Sequence, residues 1–288
     1  MTATDYRGAT AESIRHHYDV SDEFYALWLD PGMTYTCALW EDGDTLESAQ
    51  ARKLDHLIAG ARAGGARRVL DVGCGWGSML DRLVTAHGVE HAVGLTLSDT
   101  QAAHLERRNL PRTEVRVENW IDHAPEAPYD AIVSIGAFEH FASTGLPRAQ
   151  RIAAYREFFA RCRDWLPRGG RIALQSNVKG NNVRMSRQAV RDLLFICETI
   201  FPESEIPALS EIVESSERLF DVVALRNDPD HYERTCQEWY DRLRRNRAAA
   251  VSCAGETTVA HYERYLGATV THFRDRHLGL ARIVLEAV

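Results

Sequence analysis

The chain has 288 residues, of which 45% are hydrophobic and 26% charged, and its formal net charge at pH 7 is −7. This length suits one large α/β domain with additional helical segments, and the composition is that of an ordinary soluble globular protein. The acidic balance gives no reason to expect nucleic-acid binding, and no apolar run reaches the roughly 18 residues that a transmembrane segment needs.

Residues 1–44 precede the first predicted strand, and we expect them to form an N-terminal helical cap. The chain starts Met-Thr-Ala-Thr-Asp and lacks the apolar core of a signal peptide. Its six cysteines show no paired spacing, and neither they nor the twelve histidines form a metal-ligand pattern. The sequence therefore predicts a cytoplasmic protein without a catalytic metal.

The most informative segment is residues 69–77, which read Val-Leu-Asp-Val-Gly-Cys-Gly-Trp-Gly and are followed by a helical pattern over residues 78–87. Glycines let the chain turn sharply from strand to helix, and they let the backbone approach a bound ligand. Asp71, at the end of the strand, reaches the same crevice. The pattern predicts a nucleotide-binding turn, although any dinucleotide-binding fold would share it.

The end of the second predicted strand argues against a nicotinamide cofactor. A dinucleotide-binding protein carries an acidic residue there, where it holds the ribose. This chain has Thr96 at that point, followed by Leu97 and Gln101, and Asp99 comes a few residues late.

Strand-like runs alternate with helical ones along the rest of the chain, which predicts a mostly parallel sheet covered by helices on both faces. Strands are predicted at residues 68–72, 92–96, 114–117, 131–135, 171–175, 220–225 and 281–285. Helices are predicted at residues 45–63, 78–87, 99–109, 147–166 and 231–250. Residues 177–218 break the alternation and predict a lid over the carboxyl edge of the sheet, where open α/β folds bind ligands. We expect residues 1–288 to form a single domain.

Separated segments resemble the cyclopropane fatty acid synthase and mycolic acid methyltransferase family, whose members use S-adenosylmethionine (SAM). The matches include Leu-Asp-Val-Gly-Cys-Gly-Trp-Gly at residues 70–77 and Ile-Val-Ser-Ile-Gly-Ala-Phe-Glu-His-Phe at residues 132–141. Further matches follow the family order at residues 17–25, 33–40, 94–101, 166–170, 200–211 and 231–239. The resemblance implies an α/β fold with a Rossmann-like seven-stranded class I methyltransferase sheet, an N-terminal helical segment and an inserted helical lid. It also implies a SAM-dependent methyltransferase that releases S-adenosylhomocysteine.

The same resemblance implies a set of cofactor-binding residues. The glycines of the turn would admit the methionine part of SAM, and the polar side chains after the second strand would lie near the ribose. Asn119 would pair with the adenine edge and Trp120 would stack on its face, although a tryptophan after a strand also suits a plain core position. The full set is Tyr35, Thr36, Asp71, Gly73, Gly75, Thr96, Leu97, Gln101, Asn119, Trp120 and Ile135.

Residues 136–141, Gly-Ala-Phe-Glu-His-Phe, place a carboxylate among aromatic rings after the fourth strand. This suits methylation of a weak carbon nucleophile, which becomes a cation that must lose a proton. Aromatic faces stabilise a cation by roughly 0.5 to 2 kcal/mol each, and a carboxylate in a dry pocket adds to this. At the positions that the resemblance assigns to catalysis this chain has Glu139, His140, Tyr232, Gln175 and Cys37, and these are the predicted catalytic residues. The predicted substrate pocket consists of Tyr18, Trp28, Phe138 and Phe141.

Two of these residues have alternative explanations. Glu139 also suits a helix N-terminus, where the dipole favours a carboxylate. His140 suits a structural hydrogen bond at least as well as a role as base.

Cyclopropane synthases of the family hold a bicarbonate, and the resemblance assigns Cys37, Glu139 and Tyr232 to it here. This chain departs from the family after the fifth strand, where Gln175 replaces a histidine and Asn177 an isoleucine. Glutamine donates a hydrogen bond but carries no positive charge, so it holds an anion less well. The departure argues against bicarbonate as a cofactor.

The departure and a short polar stretch at residues 179–184 favour methylation of a nucleophilic carbon in a smaller apolar or aromatic metabolite of specialised metabolism. Three alternatives stay open: a cyclopropane synthase acting on unsaturated acyl chains of phospholipids, an N- or O-methyltransferase, and a SAM-binding protein without catalysis. An arginine-rich run is either a solvated helix face or a contact for anionic lipid or a carrier protein; it comprises Arg242, Arg244, Arg245 and Arg247. The sequence does not determine the oligomeric state.

Overall fold

The computed structural model describes residues 8–10 and 21–288. Within this part of the chain, the strands are β1 (Arg68–Val72), β2 (His91–Thr96), β3 (Thr113–Val117), β4 (Ala131–Ile135), β5 (Arg171–Lys179), β6 (Phe220–Asn227) and β7 (Leu278–Ala287). They form one seven-stranded sheet in the order β3-β2-β1-β4-β5-β7-β6. The first five strands of this order are parallel, and β7 runs antiparallel to both of its neighbours. The predicted α/β fold with a mostly parallel sheet is confirmed.

The helices are α1 (Asp22–Ala26), α2 (Leu46–Gly60), α3 (Ser78–Thr85), α4 (Asp99–Arg108), α5 (Arg148–Trp165), α6 (Arg187–Phe195), α7 (Leu209–Ser216), α8 (Pro229–Arg245), α9 (Arg247–Ala254) and α10 (Glu256–Arg274). A 3₁₀ turn covers Phe138–His140, and a π-helical turn covers Ile196–Ile200. Hydroxyl side chains fix several starts: Thr45 caps α2, Ser98 caps α4 and Ser186 caps α6. None of the described helices is long and apolar enough to cross a bilayer.

Hydrophobic packing on both faces explains why the central strands read as apolar runs. Helices α2 and α3 pack on one face of the sheet and α5 packs on the other. A third apolar cluster joins the N-terminal segment to α8 and α10 above the sheet. By contrast, β6 is exposed along nearly all its length because it is an edge strand.

Two helix predictions need correction. The helix predicted over residues 231–250 is two helices, α8 and α9, which meet at Asn246. The sequence patterns did not predict α10, whose β-branched residues and Gly267 have low helix propensity. Tertiary packing supports it instead, since Phe273 of α10 lies 4.5 Å from the ring of Tyr232 on α8.

Candidate active site

The turn after β1 forms an open cradle at the carboxyl edge of the sheet. Gly73 and Gly75 have φ values of +83° and +54°, which residues other than glycine rarely adopt. A Cβ atom at Gly73 would lie 2.5 Å from the Cβ of Ala137. A Cβ at Gly75 would meet no protein atom within 4 Å, and it would enter the cavity that this turn lines. The cradle therefore leaves room for a ligand against bare backbone.

Polar side chains after β2 border the same cavity. Thr96 Oγ1 donates a 2.8 Å hydrogen bond to Gln101 Oε1, and both residues are buried. Leu97 also lines this side of the cavity. The contact holds the threonine and the glutamine next to the glycine turn, where the resemblance assigns the ribose.

The residues after β3 close one end of the cavity. Asn119 Oδ1 accepts a 3.2 Å hydrogen bond from the amide of Ile121, which shapes the loop. The ring of Trp120 lies 5.2 Å from Phe141 and 5.4 Å from Phe158, and the residue also lines the cavity. The sequence left a core position and a cofactor contact as alternatives for Trp120. The residue packs in the core and also lines the cavity.

The N-terminal segment forms the opposite wall, and α2 fixes it there. Tyr35 and Thr36 line the cavity, together with Ile135 from β4. Gln50 Nε2 donates to the carbonyl oxygen of Thr36 at 2.8 Å, and Lys53 Nζ donates to Thr36 Oγ1 at 2.9 Å. The sequence patterns did not predict this role of α2, although Gln50 and Lys53 lie three residues apart on one face of the helix and are a usable signal.

Two ionisable groups are buried beside the cradle. Burial raises the pKa of the Asp71 carboxyl to about 7, and the nearby Lys53 ammonium opposes this rise. Burial lowers the pKa of Lys53 to about 7, against the attraction of Asp30. Both side chains line the cavity and are almost completely shielded from solvent, so burial disfavours the charged form of each.

Glu139 lies on the 3₁₀ turn after β4 and is only 5% exposed. Its Oε1 accepts a 2.6 Å hydrogen bond from the backbone amide of Asn177, and within the described structure its Oε2 is buried without a partner. Burial raises the pKa of Glu139 to about 7, while the hydrogen bond from the Asn177 amide opposes the rise. The carboxylate can therefore take up a proton near neutral pH.

His140 lines the cavity next to Glu139. Its Nδ1 lies 3.0 Å from Ser204 Oγ, a hydrogen bond that ties the 3₁₀ turn to the loop before α7. Burial lowers the pKa of His140 to about 4, so the imidazole is neutral at physiological pH. The contact supports the structural alternative for this residue.

The aromatic pocket differs from the predicted one. Phe141 and Tyr232 line the cavity, but Phe138 and Trp28 do not. Phe138 stacks on Tyr155 at 4.5 Å inside the core below α5, and Trp28 packs 5.2 Å from Tyr35 and 5.8 Å from Trp239 behind the cavity wall. Tyr18 lies outside the described residues. Three rings outside the predicted substrate-pocket set line the cavity instead: Phe201, which belongs to the predicted lid, and Tyr265 and Phe273.

Gln175 and Cys37 also lie outside the cavity lining, in a buried network around Arg282. Arg282 Nε donates to Gln175 Oε1 at 2.8 Å, and its Nη2 donates to the carbonyl oxygen of Ala38 at 2.9 Å. Gln175 Nε2 in turn donates to the carbonyl oxygen of Cys37 at 3.3 Å. Burial raises the pKa of the Cys37 thiol to about 11, so it is neutral. The network fastens the N-terminal segment to β5 and β7.

These contacts engage two of the donors that a bound bicarbonate would need. The amide of Asn177 already donates to Glu139, and the side-chain amide of Gln175 already donates to Cys37. The buried polar atoms that lack a partner in this part of the described structure, Glu139 Oε2 and Asn177 Oδ1, are acceptor oxygens. An anion needs donors, and those left for it beside these oxygens are the protonated form of Glu139 and the hydroxyl of Tyr232, which lines the cavity.

The glycine cradle, the polar pair after β2 and the residues after β3 do fit SAM, whose methionine, ribose and adenine parts they would hold. An α/β sheet of this order with such a cradle is typical of SAM-dependent methyltransferases. The family described as mycolic acid cyclopropane synthetase matches residues 6–283, and the chain belongs to this family.

Similar proteins support the assignment. Cyclopropane mycolic acid synthase 3 of Mycobacterium tuberculosis is 33% identical over 288 residues, which cover 95% of this chain and 96% of that protein. Hydroxymycolate synthase from the same organism is 35% identical over 282 residues, covering 93% and 89% of the two chains. The structure of a mycolic acid cyclopropane synthase complexed with SAH and CTAB has a TM-score of 0.88 and 31% identity, and covers 97% of this chain and 99% of that one.

Proposed function

We propose that this enzyme transfers the methyl group of SAM to a carbon of a double bond in an unsaturated acyl chain, and that proton loss then closes a cyclopropane ring. The observation that carries the proposal is a buried carboxylate, Glu139, at the apolar end of the cavity that the glycine turn opens. The acyl chain also agrees with the names of the similar proteins, which refer to mycolic acids and mycolates.

The cavity beyond the cradle suits a hydrocarbon. Its lining there is largely apolar and comes from the residues between β5 and β6, from α10 and from the start of β7: Leu193, Ile196, Phe201, Ile206, Phe273 and Leu278. Other charged side chains in the described lining are Lys53, Asp71 and Glu118, which lie on or beside the segments assigned to SAM. The apolar end therefore offers no cation for a carboxylate or a phosphate, and a neutral chain fits it better.

SAM, when bound, supplies an electrophilic methyl group on a sulfonium. The chain's own residues deal with the acceptor. Tyr232 and Phe141 present ring faces to a cationic carbon, and an ionised Glu139 stabilises that charge and takes the proton on Oε2. The lid excludes water, so water does not add to the cationic carbon before the proton is lost. His140, held neutral by burial, positions the turn that carries Glu139.

A compact apolar or aromatic metabolite is the second candidate acceptor, and an amine or hydroxyl acceptor is the third. Gln175 was part of the reason to expect a small acceptor, but its side chain belongs to the Arg282 network and not to the cavity lining. The residue therefore says little about acceptor size. The likeness to coclaurine N-methyltransferase, at 19% identity and a TM-score of 0.79, concerns the fold alone.

The test is incubation of the enzyme with SAM and phospholipids that carry cis-unsaturated chains, followed by mass spectrometry of the released fatty acids. A panel of compact aromatic compounds and amines is run in parallel. We expect acyl chains that gain one CH₂ and resist hydrogenation, as a ring does. Methylation confined to the compact panel would refute the proposal. A cytoplasmic location and residues 1–44 and 177–218 as cap and lid remain predictions of the sequence.

A further inference from the structure

The outward side of the lid carries apolar and basic residues that the proposed chemistry does not use. We name it the outer lid face and define it by Val183, Arg184, Arg187, Val190, Arg191 and Leu194. All six are exposed. Val183, Val190 and Leu194 are 85%, 42% and 53% exposed. A group of exposed aliphatic side chains on one surface often marks an interaction site.

The helix geometry separates this face from the cavity. Arg187, Val190, Arg191 and Leu194 follow one another at spacings of three, one and three residues, which place them on one side of α6. The other side points inward: Ala189 is buried, and Leu193 and Ile196 line the cavity. One short segment thus forms the wall of the acceptor site and an exposed surface at the same time.

Within the described residues, no acid pairs with the arginines of the outer lid face. Arg184 and Arg187 make no ion pair in the part of the chain that the structure describes, and Arg191 donates to the amide oxygen of Gln188. The acid on this helix, Asp192, is paired with Arg264 at 2.9 Å. A local positive surface on a chain with a net charge of −7 is selective for an anionic partner.

The arginine-rich run on α8 and α9 differs in this respect. Arg242 pairs with Glu47 and Glu238, and Arg245 also reaches Glu238. Arg247 pairs with acids of α10, and Arg244 lies over the ring of Tyr240. This run is largely neutralised within the protein, so it is a weaker candidate for lipid contact than the lid.

We propose that the outer lid face binds the surface of a bilayer that contains anionic lipid. The arginines contact lipid phosphates, and the aliphatic side chains enter the boundary between headgroups and acyl chains. An acidic protein would match the charges but not three separately exposed aliphatic side chains. The proposal goes beyond the proposed function, because it concerns a surface outside the cavity.

The test is co-sedimentation with vesicles of phosphatidylcholine alone and of phosphatidylcholine mixed with phosphatidylglycerol. Two variants change the outer lid face: Arg187→Glu/Arg191→Glu and Val190→Ser/Leu194→Ser. We expect the wild type to bind the mixed vesicles, and the charge reversal to weaken binding about tenfold or more, since each arginine contributes at an anionic surface. The serine variant should weaken binding severalfold at unchanged charge.

Two matched controls are available on other surfaces. Arg244→Glu/Arg245→Glu makes the same change in net charge on α8, and Val223→Ser removes a valine of β6 that is 46% exposed. Both should bind vesicles as the wild type does. Lid variants that bind like the wild type would overturn the proposal. A wild type that does not co-sediment with the mixed vesicles would also overturn it, even if it binds an acidic carrier protein. Turnover of detergent-dispersed lipid tests the proposed function separately, because it needs no bilayer.

Discussion

The backbone amide of Asn177 donates a 2.6 Å hydrogen bond to Glu139 Oε1. The contact joins the end of β5 to the turn after β4, and it orients the carboxylate so that its second oxygen is buried without a partner in the described structure. A carboxylate held by one oxygen and free at the other is arranged to accept a proton.

Glu139→Gln should bind SAM as the wild type does and lose at least about a hundredfold in kcat, because an amide has the same shape but accepts no proton. Calorimetry measures SAM binding, and release of S-adenosylhomocysteine measures turnover. Glu198→Gln, on the exposed side of the lid, is the control and should keep its activity. A Glu139→Gln enzyme with full turnover would remove this residue from the chemistry.

The pH dependence of the rate should follow Glu139. The carboxyl must be ionised to accept a proton and has a pKa of about 7, so kcat should rise as pH increases through 7 and level off above it. Initial rates at saturating SAM and acceptor measure this profile. A flat profile between pH 6 and about 8 would contradict the assignment.

The stability of the fold should show the opposite trend. The pKa of Glu139 is higher in the folded state than its ordinary value of 4.5, so the stability that this group contributes is complete below pH 4.5 and is lost as pH rises through about 7. Glu139→Gln should therefore be more stable than the wild type at pH 8, by roughly 1 to 3 kcal/mol, and no more stable at pH 5. Urea denaturation of both proteins at the two pH values measures the difference, and equal differences at both would disprove it.

Gly75→Ala separates ligand contact from backbone strain. Its φ of +54° makes alanine unfavourable by about 1 kcal/mol, and its Cβ would meet no protein atom within 4 Å. Gly88 is a matched control, with a φ of +65° and equally open surroundings but away from the cavity. Both alanine variants should lose similar stability. Only Gly75→Ala should weaken SAM binding, by about tenfold or more, because its Cβ displaces a contact with the ligand. Equal SAM affinities would contradict the cradle.

Arg282→Met should destabilise the fold by roughly 3 to 5 kcal/mol, because it leaves the buried oxygens of Gln175 and Ala38 without their donor and removes the buried partner of Asp228. Arg226 also pairs with Asp228, but its side chain is 46% exposed. Arg226→Met should therefore cost less than about 1 kcal/mol. Thermal or chemical unfolding measures both. Similar losses in the two variants would show that the buried network is not what holds the N-terminal segment.

Much of the fold could be predicted from local patterns. The run before Gly73 and the apolar stretch at residues 131–135 are strands within the predicted bounds, because fully buried parallel strands need continuous β-branched and aliphatic residues. Helix α10 could not be predicted in the same way. Its threonines, two valines and central glycine favour no helix locally, and tertiary packing, chiefly against α8, stabilises it.

The site divides in the same way. Local sequence was sufficient to predict the cradle and the position of Glu139, because residues that directly follow parallel strands lie at the carboxyl edge of the sheet. The fold of the whole chain placed the other residues: Phe138 and Trp28 lie in the core, Gln175 contacts Arg282, and Tyr265 and Phe273 line the cavity. Side chains on distant segments meet through packing, so the direction in which a ring or an amide points depends on neighbours far away in the chain.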